Sequence, residues 1–334
     1  MISVVTPAYN EARNLPVMYE RLRAILDSTG VDWEWIIIDD SSSDDTFTAA
    51  ETIAVLDHRA RVFRFSRNFG SHAATICGLD HARGDCAVVM ASDLQDPPEV
   101  IMALLARWRE GVHIVWAVRS QREGESRSTL ALSRLYHWIM RKVAGLKDVP
   151  ATGSDFVLLD RRVIDAVCRF PEQNASLFAL VTWMGFRQTS VAYEKQARLH
   201  GRSGWTLSKK IKLVVDSLTS FTYQPVRWMS LIGLIVSILG VIYAIAVVSN
   251  ALLGSPPEGW TSLMVVVLFL GGGQMFMLGV LGEYIWRGLE EARRRPRYLI
   301  ERVAGEWVTE PPVVSRLKQH SAAPTSVVEA TGVS

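Results

Sequence analysis

The amino-acid sequence predicts an α/β domain with a mostly parallel sheet, followed by a hairpin of two long apolar helices. Residues 1–120 alternate short apolar runs with stretches of helical periodicity, which is the pattern of a parallel sheet covered by helices. The composition changes near residue 228, because residues 229–253 and 261–282 contain no charged side chain. The 334-residue chain is therefore expected to form a head domain and a membrane anchor.

The head domain is expected to contain five strands separated by four helices. Apolar runs such as "WIIID" and "CAVVMA" are typical of strands that are buried on both faces. The predicted strands are 2–6, 35–39, 62–66, 86–91 and 114–118, and the predicted helices are 14–28, 45–57, 71–82 and 98–110. Ligands of such sheets bind beyond the carboxyl ends of the strands. The residues at those ends are therefore the first candidates for function.

The two uncharged runs are each longer than the ~20 residues that a helix needs to cross the hydrocarbon core of a bilayer. Arg227 precedes the first run and Arg287 follows the second, with further lysines and arginines on both sides. The connecting turn at 254–260 has no basic residue. The positive-inside rule therefore places both ends of the hairpin in the cytoplasm. A buried helical hairpin of a soluble protein is the alternative.

Further segments flank this hairpin. From residue 207 to residue 221, apolar side chains recur at helical spacing and lysines occupy another face, which predicts an amphipathic helix in the membrane interface. A core-packing helix is the alternative. The expected boundaries are a head at 1–204, the interfacial helix at 205–227, two transmembrane helices at 228–284, a basic cytoplasmic segment at 285–310 and a disordered tail at 311–334.

Composition and motifs also exclude several classes of function. The formal net charge is only +2, so no general basic field indicates nucleic-acid binding. The 3 cysteines form no C-x-x-C pair, which indicates reduced thiols and no zinc site. The first residues do not resemble a signal peptide. The head has neither a P-loop nor the G-x-G-x-x-G pattern of dinucleotide-binding domains.

The stretch "VVMASDLQDPPE" at 88–99 places polar side chains at the end of an apolar strand. Asp96 stands before two prolines and a glutamate, the sequence signature of a helix N-cap. Asp93 and Gln95 have no such structural explanation. Alternation in an extended segment would place them on the same side, where their oxygens suit Mg²⁺ or Mn²⁺. The sequence therefore predicts a metal site at Asp93 and Gln95 and a capping role for Asp96.

Four motifs follow one another along the head, namely "VVTPAYNE", "IIIDDSSSDDT", "FSRNFG" and "SDLQDPPE". In this order and spacing they resemble the family 2 glycosyltransferases of the GT-A fold that act on polyprenyl phosphates. That group includes dolichol-phosphate-mannose synthase and the bactoprenol glucosyltransferases, and the hairpin ending "LGVLGEYIWRGLEEARRRPRYLIE" resembles the bacterial branch. The likeness covers residues 1–303 and implies a Rossmann-like nucleotide-sugar domain.

The resemblance implies which strand-end residues hold the donor. Asp93 and Gln95 would bind Mg²⁺ or Mn²⁺ on the donor's diphosphate, which would make Asp93 a catalytic residue. One departure concerns this metal, because family members often carry an aspartate where this chain has Ala91. The residues expected to bind the nucleotide sugar are Pro7, Tyr9, Glu11, Asp39, Asp40, Asp93 and Arg119.

A second set of residues is implied for the lipid acceptor. "GSDFVLLDRR" places Asp155 before a strand, and "RLHGRSG" resembles an R-x-x-G-x-S motif that contacts phosphate. Asp155 and Arg198 would be catalytic, Asp155 by orienting the acceptor or by stabilising positive charge on the sugar. A structural cap is the alternative for Asp155, and a solvated surface charge is the alternative for each arginine. The residues expected at the lipid phosphate or diphosphate are Arg127, Arg198, Arg202 and Ser203.

The implied reaction is an inverting transfer of a hexose-type sugar from a nucleotide sugar, expected to be a UDP-sugar, to undecaprenyl or decaprenyl phosphate. The implied setting is the cytoplasmic face of the bacterial inner membrane, in contact with membrane lipids, and the resemblance implies a homotetramer. Two alternatives stay open. The stretch "QPVRW" at 224–228 matches the Q-x-x-R-W signature of processive polysaccharide synthases. The second alternative is a non-catalytic membrane protein that binds nucleotide sugars, because Ala91 stands where family members often carry an aspartate of the metal motif.

Overall fold

The computed structural model describes residues 1–120, 156–170, 177–196, 224–252, 259–293 and 295–306. All five predicted strands and all four predicted helices of the head are present, with shifts of a few residues at their ends. The strands are β1 (Ile2–Ala8), β2 (Trp33–Asp39), β3 (Ala60–Phe65), β4 (Cys86–Val89), β5 (Ile114–Arg119), β6 (Val157–Asp160), β7 (Gln188–Tyr193) and β8 (Ile300–Ala304). The helices are α1 (Asn14–Asp27), α2 (Thr46–Leu56), α3 (Ser71–His81), α4 (Val100–Arg109), α5 (Arg161–Arg169), α6 (Leu177–Trp183), α7 (Gln224–Leu252) and α8 (Trp260–Ala292).

The strands form one 8-stranded mixed sheet in the order β7-β5-β6-β4-β1-β2-β3-β8. The central strands β4, β1, β2 and β3 are parallel, whereas β6 runs antiparallel to both of its neighbours. The chain places β2 on one side of β1 and β4 on the other. This is a topological switch point, and its strand ends form the crevice where open α/β sheets bind ligands.

Alternation along the central strands builds a hydrophobic core on each face of the sheet. Val4 packs with α1, α2 and α4 on one face, and its neighbour Val5 packs with α3, α5 and α6 on the other. Every residue of β2 is buried, as expected for a strand that is covered by helices on both sides. The three cysteines are free and lie in this interior.

The C-terminal part contains the long helices α7 and α8, whose described parts have 29 and 33 residues. Within the described residues, one helical window, 226–243, meets the length and composition criteria for a membrane span, with a mean hydropathy of 1.9 and no buried residue. Pro225 lies within the described part of α7.

The segments predicted to flank the two long helices are described only in part. Helix α8 continues beyond residue 284 to Ala292. The predicted interfacial helix at 205–227, apart from 224–227, and the predicted disordered tail at 311–334 lie outside the described residues.

The chain returns to the head after α8. Strand β8 pairs antiparallel with β3, with Val303 opposite Phe63. Just before it, the Tyr298 ring stacks on Phe65 at 5.3 Å between centroids, and its hydroxyl donates a 2.9 Å hydrogen bond to Asp80. The segment that was expected to be only basic and cytoplasmic therefore supplies an edge strand of the sheet.

Candidate active site

The loops that follow β1, β2 and β4 meet at one edge of the sheet because these three parallel strands are neighbours. Each loop contains a residue other than glycine with a left-handed backbone, namely Asn10 (φ 60), Ser41 (φ 59) and Leu94 (φ 58). Such conformations cost about 1–3 kcal/mol each and cluster at functional sites. Strain at three adjacent strand ends marks this edge as the candidate site.

The loops after β1 and β2 are joined by hydrogen bonds. The Asn10 N–H donates to Ser42 Oγ at 2.9 Å, and the Ser43 N–H donates to Asn10 Oδ1 at 2.9 Å. The Glu11 N–H donates to Thr46 Oγ1 at 2.8 Å. These bonds hold Glu11 at the edge and leave the Tyr9 side chain 49% exposed. An exposed aromatic ring beside fixed polar groups suits a planar base.

Asp39 and Asp40 are both buried at the end of β2 and hold neighbouring loops. Asp39 accepts from the Ser42 N–H at 2.9 Å and pairs with Arg64 at 3.2 Å. Asp40 accepts from the backbone N–H groups of Phe69 and Gly70 at 2.7 and 2.9 Å. Burial raises the pKa of Asp40 to about 6, a rise to which Asp39 adds and which the two backbone hydrogen bonds oppose. Both carboxylates therefore have structural roles beside the contact with a nucleoside that the resemblance implies.

The loop after β4 is a tight turn. Asp93 is 8% exposed and its Oδ1 accepts from the Gln95 N–H at 3.1 Å. The prediction of an extended segment is wrong, because the left-handed Leu94 between the two residues reverses the chain. The local hydrogen bond of the aspartate, an Asx-turn, keeps Asp93 and Gln95 close together by a different geometry.

The capping role predicted for Asp96 is also wrong. Helix α4 begins at Val100 with Glu99 at the N-cap position and has no side-chain cap. Asp96 is instead 4% exposed and accepts a hydrogen bond from the hydroxyl of Tyr193 at the end of β7. Burial raises the pKa of Asp96, although the bond from Tyr193 and the charges of Lys195 and Arg119 oppose the rise. Sequence reasoning missed Tyr193, since the two residues are 97 positions apart.

The chemistry of the metal-motif residues fits a hard divalent cation. Among the residues that the structure describes, no group of three or more His, Cys, Asp or Glu side chains could hold a metal ion by itself. Mg²⁺ and similar ions are often held by one or two carboxylates together with substrate phosphates. Asp93 and Gln95 would supply one carboxylate and one amide oxygen, and a bound diphosphate would complete the shell.

The structure brings together the residues predicted for the donor. Pro7, whose carbonyl accepts from Ser92 Oγ at 3.1 Å, and the side chains after β1, β2 and β4 share one edge of the sheet. Arg119 ends β5 on the other side of β6, and its positive charge lies close enough to act on the Tyr193 hydroxyl. The residues predicted to contact the acceptor all lie outside the described residues. They are Arg127, Asp155, Arg198, Arg202 and Ser203.

The order of elements and this strand-end edge define a GT-A domain. The family model for glycosyl transferase family 2 matches residues 3–167, and the model for the GtrB C-terminal hairpin matches residues 224–287. The chain belongs to glycosyl transferase family 2, with the GtrB hairpin as its C-terminal part, and it is a glycosyltransferase.

Relatives match over nearly the whole chain. The glycosyltransferase YkcC of Bacillus subtilis (strain 168) is 36% identical over 304 residues, which are 91% of this chain and 94% of that protein. The prophage bactoprenol glucosyl transferase homolog of Escherichia coli (strain K12) is 35% identical over 303 residues, 90% of this chain and 99% of that protein. The bactoprenol glucosyl transferase of Shigella phage SfV is 35% identical over 301 residues, covering 90% and 98% of the two chains.

Solved structures are more distant. Glucosyl-3-phosphoglycerate synthase from Mycobacterium tuberculosis, in complex with Mn²⁺, UDP-glucose and phosphoglyceric acid, has a TM-score of 0.49 at 20% identity. The match covers 66% of this chain and 77% of that one.

Proposed function

We propose that the protein transfers a hexose-type sugar from a nucleotide sugar to a polyprenyl phosphate at a membrane surface. The observation that carries the proposal is the combination of a GT-A head, with carboxylates at its strand ends, and the GtrB hairpin in one chain. Relatives named bactoprenol glucosyl transferase share both parts at 35% identity over 90% of this chain. A lipid acceptor accounts for the attachment of a nucleotide-sugar domain to an apolar hairpin.

The donor is proposed to be a UDP-sugar that lies across the ends of β4, β1 and β2. Tyr9 and Asp39 would contact the nucleoside, while Arg119 would stabilise negative charge on the diphosphate. Asp93 and Gln95 would hold Mg²⁺ or Mn²⁺, which when bound neutralises charge on the departing diphosphate. The residues of the chain thus bind and orient the donor at an edge where burial reduces competition from water.

The acceptor phosphate supplies its own nucleophile. A phosphate monoester has a second pKa of about 6 and is largely ionised near neutral pH, so a strong general base is unnecessary. One of its oxygens forms a bond to the anomeric carbon while the bond from that carbon to the nucleoside diphosphate breaks. This single displacement inverts the anomeric centre, so an α-linked donor gives a β-linked lipid. Asp155 would orient the acceptor, and the phosphate would be held by Arg127, Arg198, Arg202 and Ser203.

The hairpin is proposed to anchor the head on the cytoplasmic face of the bacterial inner membrane. At about 1.5 Å per residue, helices of 29 and 33 residues extend roughly 44 and 50 Å. Both lengths exceed the ~30 Å hydrocarbon core. Undecaprenyl or decaprenyl phosphate would reach the site from the surrounding lipid. A homotetramer is proposed from family resemblance alone.

The decisive experiment combines the purified protein with undecaprenyl phosphate, Mn²⁺ or Mg²⁺ and a panel of UDP- and GDP-sugars. Mass spectrometry of the lipid should show the addition of one hexose-type unit, with release of one nucleoside diphosphate that depends on the lipid. A polymeric product would support a processive synthase instead. Binding of a nucleotide sugar without turnover of any donor would support a non-catalytic protein.

A further inference from the structure

The loop 93–99, which carries the proposed metal ligands, is held from the side by β7 and by the residues that follow it. We propose that Tyr193 is a positioning residue for this loop, because its hydrogen bond to Asp96 fixes the turn that presents Asp93 and Gln95 to the donor. The inference rests on the proposed function, because that function makes Asp93 and Gln95 ligands of the donor's metal ion. The hydrogen bonds that hold the loop are present in the structure whatever the substrate is.

The first contact is the bond between the Tyr193 hydroxyl and the Asp96 carboxylate. Tyr193 is 7% exposed and Asp96 is 4% exposed, so water cannot readily replace either partner. The Tyr193 ring also packs edge-to-face on Phe156, with 5.9 Å between ring centroids. The direction of its hydroxyl is therefore set by the core, and this fixes the position of Asp96.

Two further contacts hold the same loop. The Gln196 N–H donates to the Gln95 carbonyl at 2.9 Å, three residues after Tyr193. Arg21 on α1 donates to both carboxylate oxygens of Glu99 at 3.1 and 2.6 Å and reaches the Gln196 side chain at 3.4 Å. The loop is thus attached in its middle to the end of β7 and at its end to α1.

The turn requires such support because Leu94 is left-handed, a conformation that costs about 1–3 kcal/mol and persists only when its surroundings enforce it. Leu94 separates Asp93 from Gln95, so relaxation of its backbone would change the separation of their oxygens. The segment that holds the loop leads, two residues after Gln196, to the Arg198 proposed for the acceptor.

The test compares Tyr193→Phe with Tyr19→Phe. Tyr19 is a matched control, because its buried hydroxyl also donates to a buried aspartate, Asp57, at 3.0 Å. Asp57 lies between α2 and β3, at the opposite edge of the sheet. Two measurements are made on the full-length protein in detergent: hydrogen exchange of peptides covering 90–99 without ligand, and calorimetric binding of UDP with Mn²⁺.

Tyr193→Phe should accelerate exchange in 90–99 and weaken UDP–Mn²⁺ binding by roughly 10-fold, as for the loss of groups that orient metal ligands. Tyr19→Phe should change neither property, whatever its effect on the melting temperature. Asp96→Asn keeps an oxygen that accepts a hydrogen bond from Tyr193. This variant should therefore retain most of the slow exchange in 90–99 that the wild type shows.

Equal exchange in 90–99 for the two Phe variants would overturn the positioning role. If the wild type fails to bind UDP with Mn²⁺ while Tyr193→Phe still loosens 90–99, the positioning role stands and the proposed donor is wrong. The two failures are therefore distinguishable.

Discussion

The backbone N–H of Gly70 donates a 2.9 Å hydrogen bond to the carboxylate of Asp40. Gly70 has φ 95, a conformation that glycine adopts without the steric penalty of a Cβ. Together with the bond from the Phe69 N–H, it attaches the loop after β3 to the end of β2. Asp40, which lies in the proposed nucleoside site, thus also holds the loop after β3 beside that site.

This relationship predicts a pH-dependent stability. The folded-state pKa of Asp40 is about 6 against an ordinary value of 3.8, so between these values the folded state binds more protons than the unfolded state. The free energy of unfolding should therefore fall as pH rises through this window, by on the order of 2 kcal/mol from this group. Asp40→Asn should flatten that decline in thermal or denaturant unfolding. Asp45→Asn, at an exposed position on the same edge, should retain the wild-type slope, and an unchanged slope in Asp40→Asn would contradict the assignment.

The role of Asp93 predicts a selective loss of activity. Asp93→Ala removes a carboxylate from the proposed metal and diphosphate site, so transfer should fall by roughly 100-fold or more, equivalent to several kcal/mol of transition-state stabilisation. Initial rates of lipid glycosylation would measure this. Asp45→Ala is the control, because Asp45 precedes α2 without making a side-chain cap. A folded Asp93→Ala protein with at least half of the wild-type rate would exclude Asp93 from the metal site.

Ala91 predicts an unusual dependence on metal concentration. With one carboxylate fewer than its family often carries, the site should need more Mn²⁺ for half-maximal activity than a variant that regains the aspartate. Ala91→Asp should lower that concentration by roughly 10-fold, within the range seen when groups around a metal are changed. Ala91→Asn has nearly the same size without the charge and should produce a smaller shift. Equal metal titrations for wild type and Ala91→Asp would show that position 91 does not face the cation.

The proposed topology predicts the location of the turn between α7 and α8. Alkaline phosphatase, which is active outside the cytoplasm, should be active when inserted at Glu258 and inactive when fused after Ser334, since the basic residues lie outside the turn. Green fluorescent protein at the same two positions should give the reciprocal pattern. Phosphatase activity from the C-terminal fusion would reverse the orientation.

The parts of the fold that follow from local pattern could be predicted from the sequence. Strands β1 to β5 are apolar runs whose burial is nearly complete, so their composition alone identifies them. Strand β7, "QTSVAY", is half polar and only partly buried. Strand β8, "IERVA", is largely exposed and depends on pairing with β3. Neither has an apolar periodicity, and each is stabilised by partners that are distant in sequence.

The candidate site could likewise be predicted only where local sequence pattern determines it. The strand-end carboxylates could be identified because parallel strands bring their carboxyl ends together. Asp96 was misassigned because "DPPE" is locally indistinguishable from a helix start, while its actual partner, Tyr193, comes from another strand. The left-handed Leu94 could not be anticipated, since leucine has no preference for that conformation.

Strand β8 also sets an order of assembly. Its residues are translated after both helices of the hairpin, yet they cover the edge of β3, whose unpaired backbone groups would otherwise be open to other strands. During synthesis the head therefore keeps an open edge until the hairpin has left the ribosome. A chain truncated within the hairpin would lack β8 and would leave that edge of β3 uncovered.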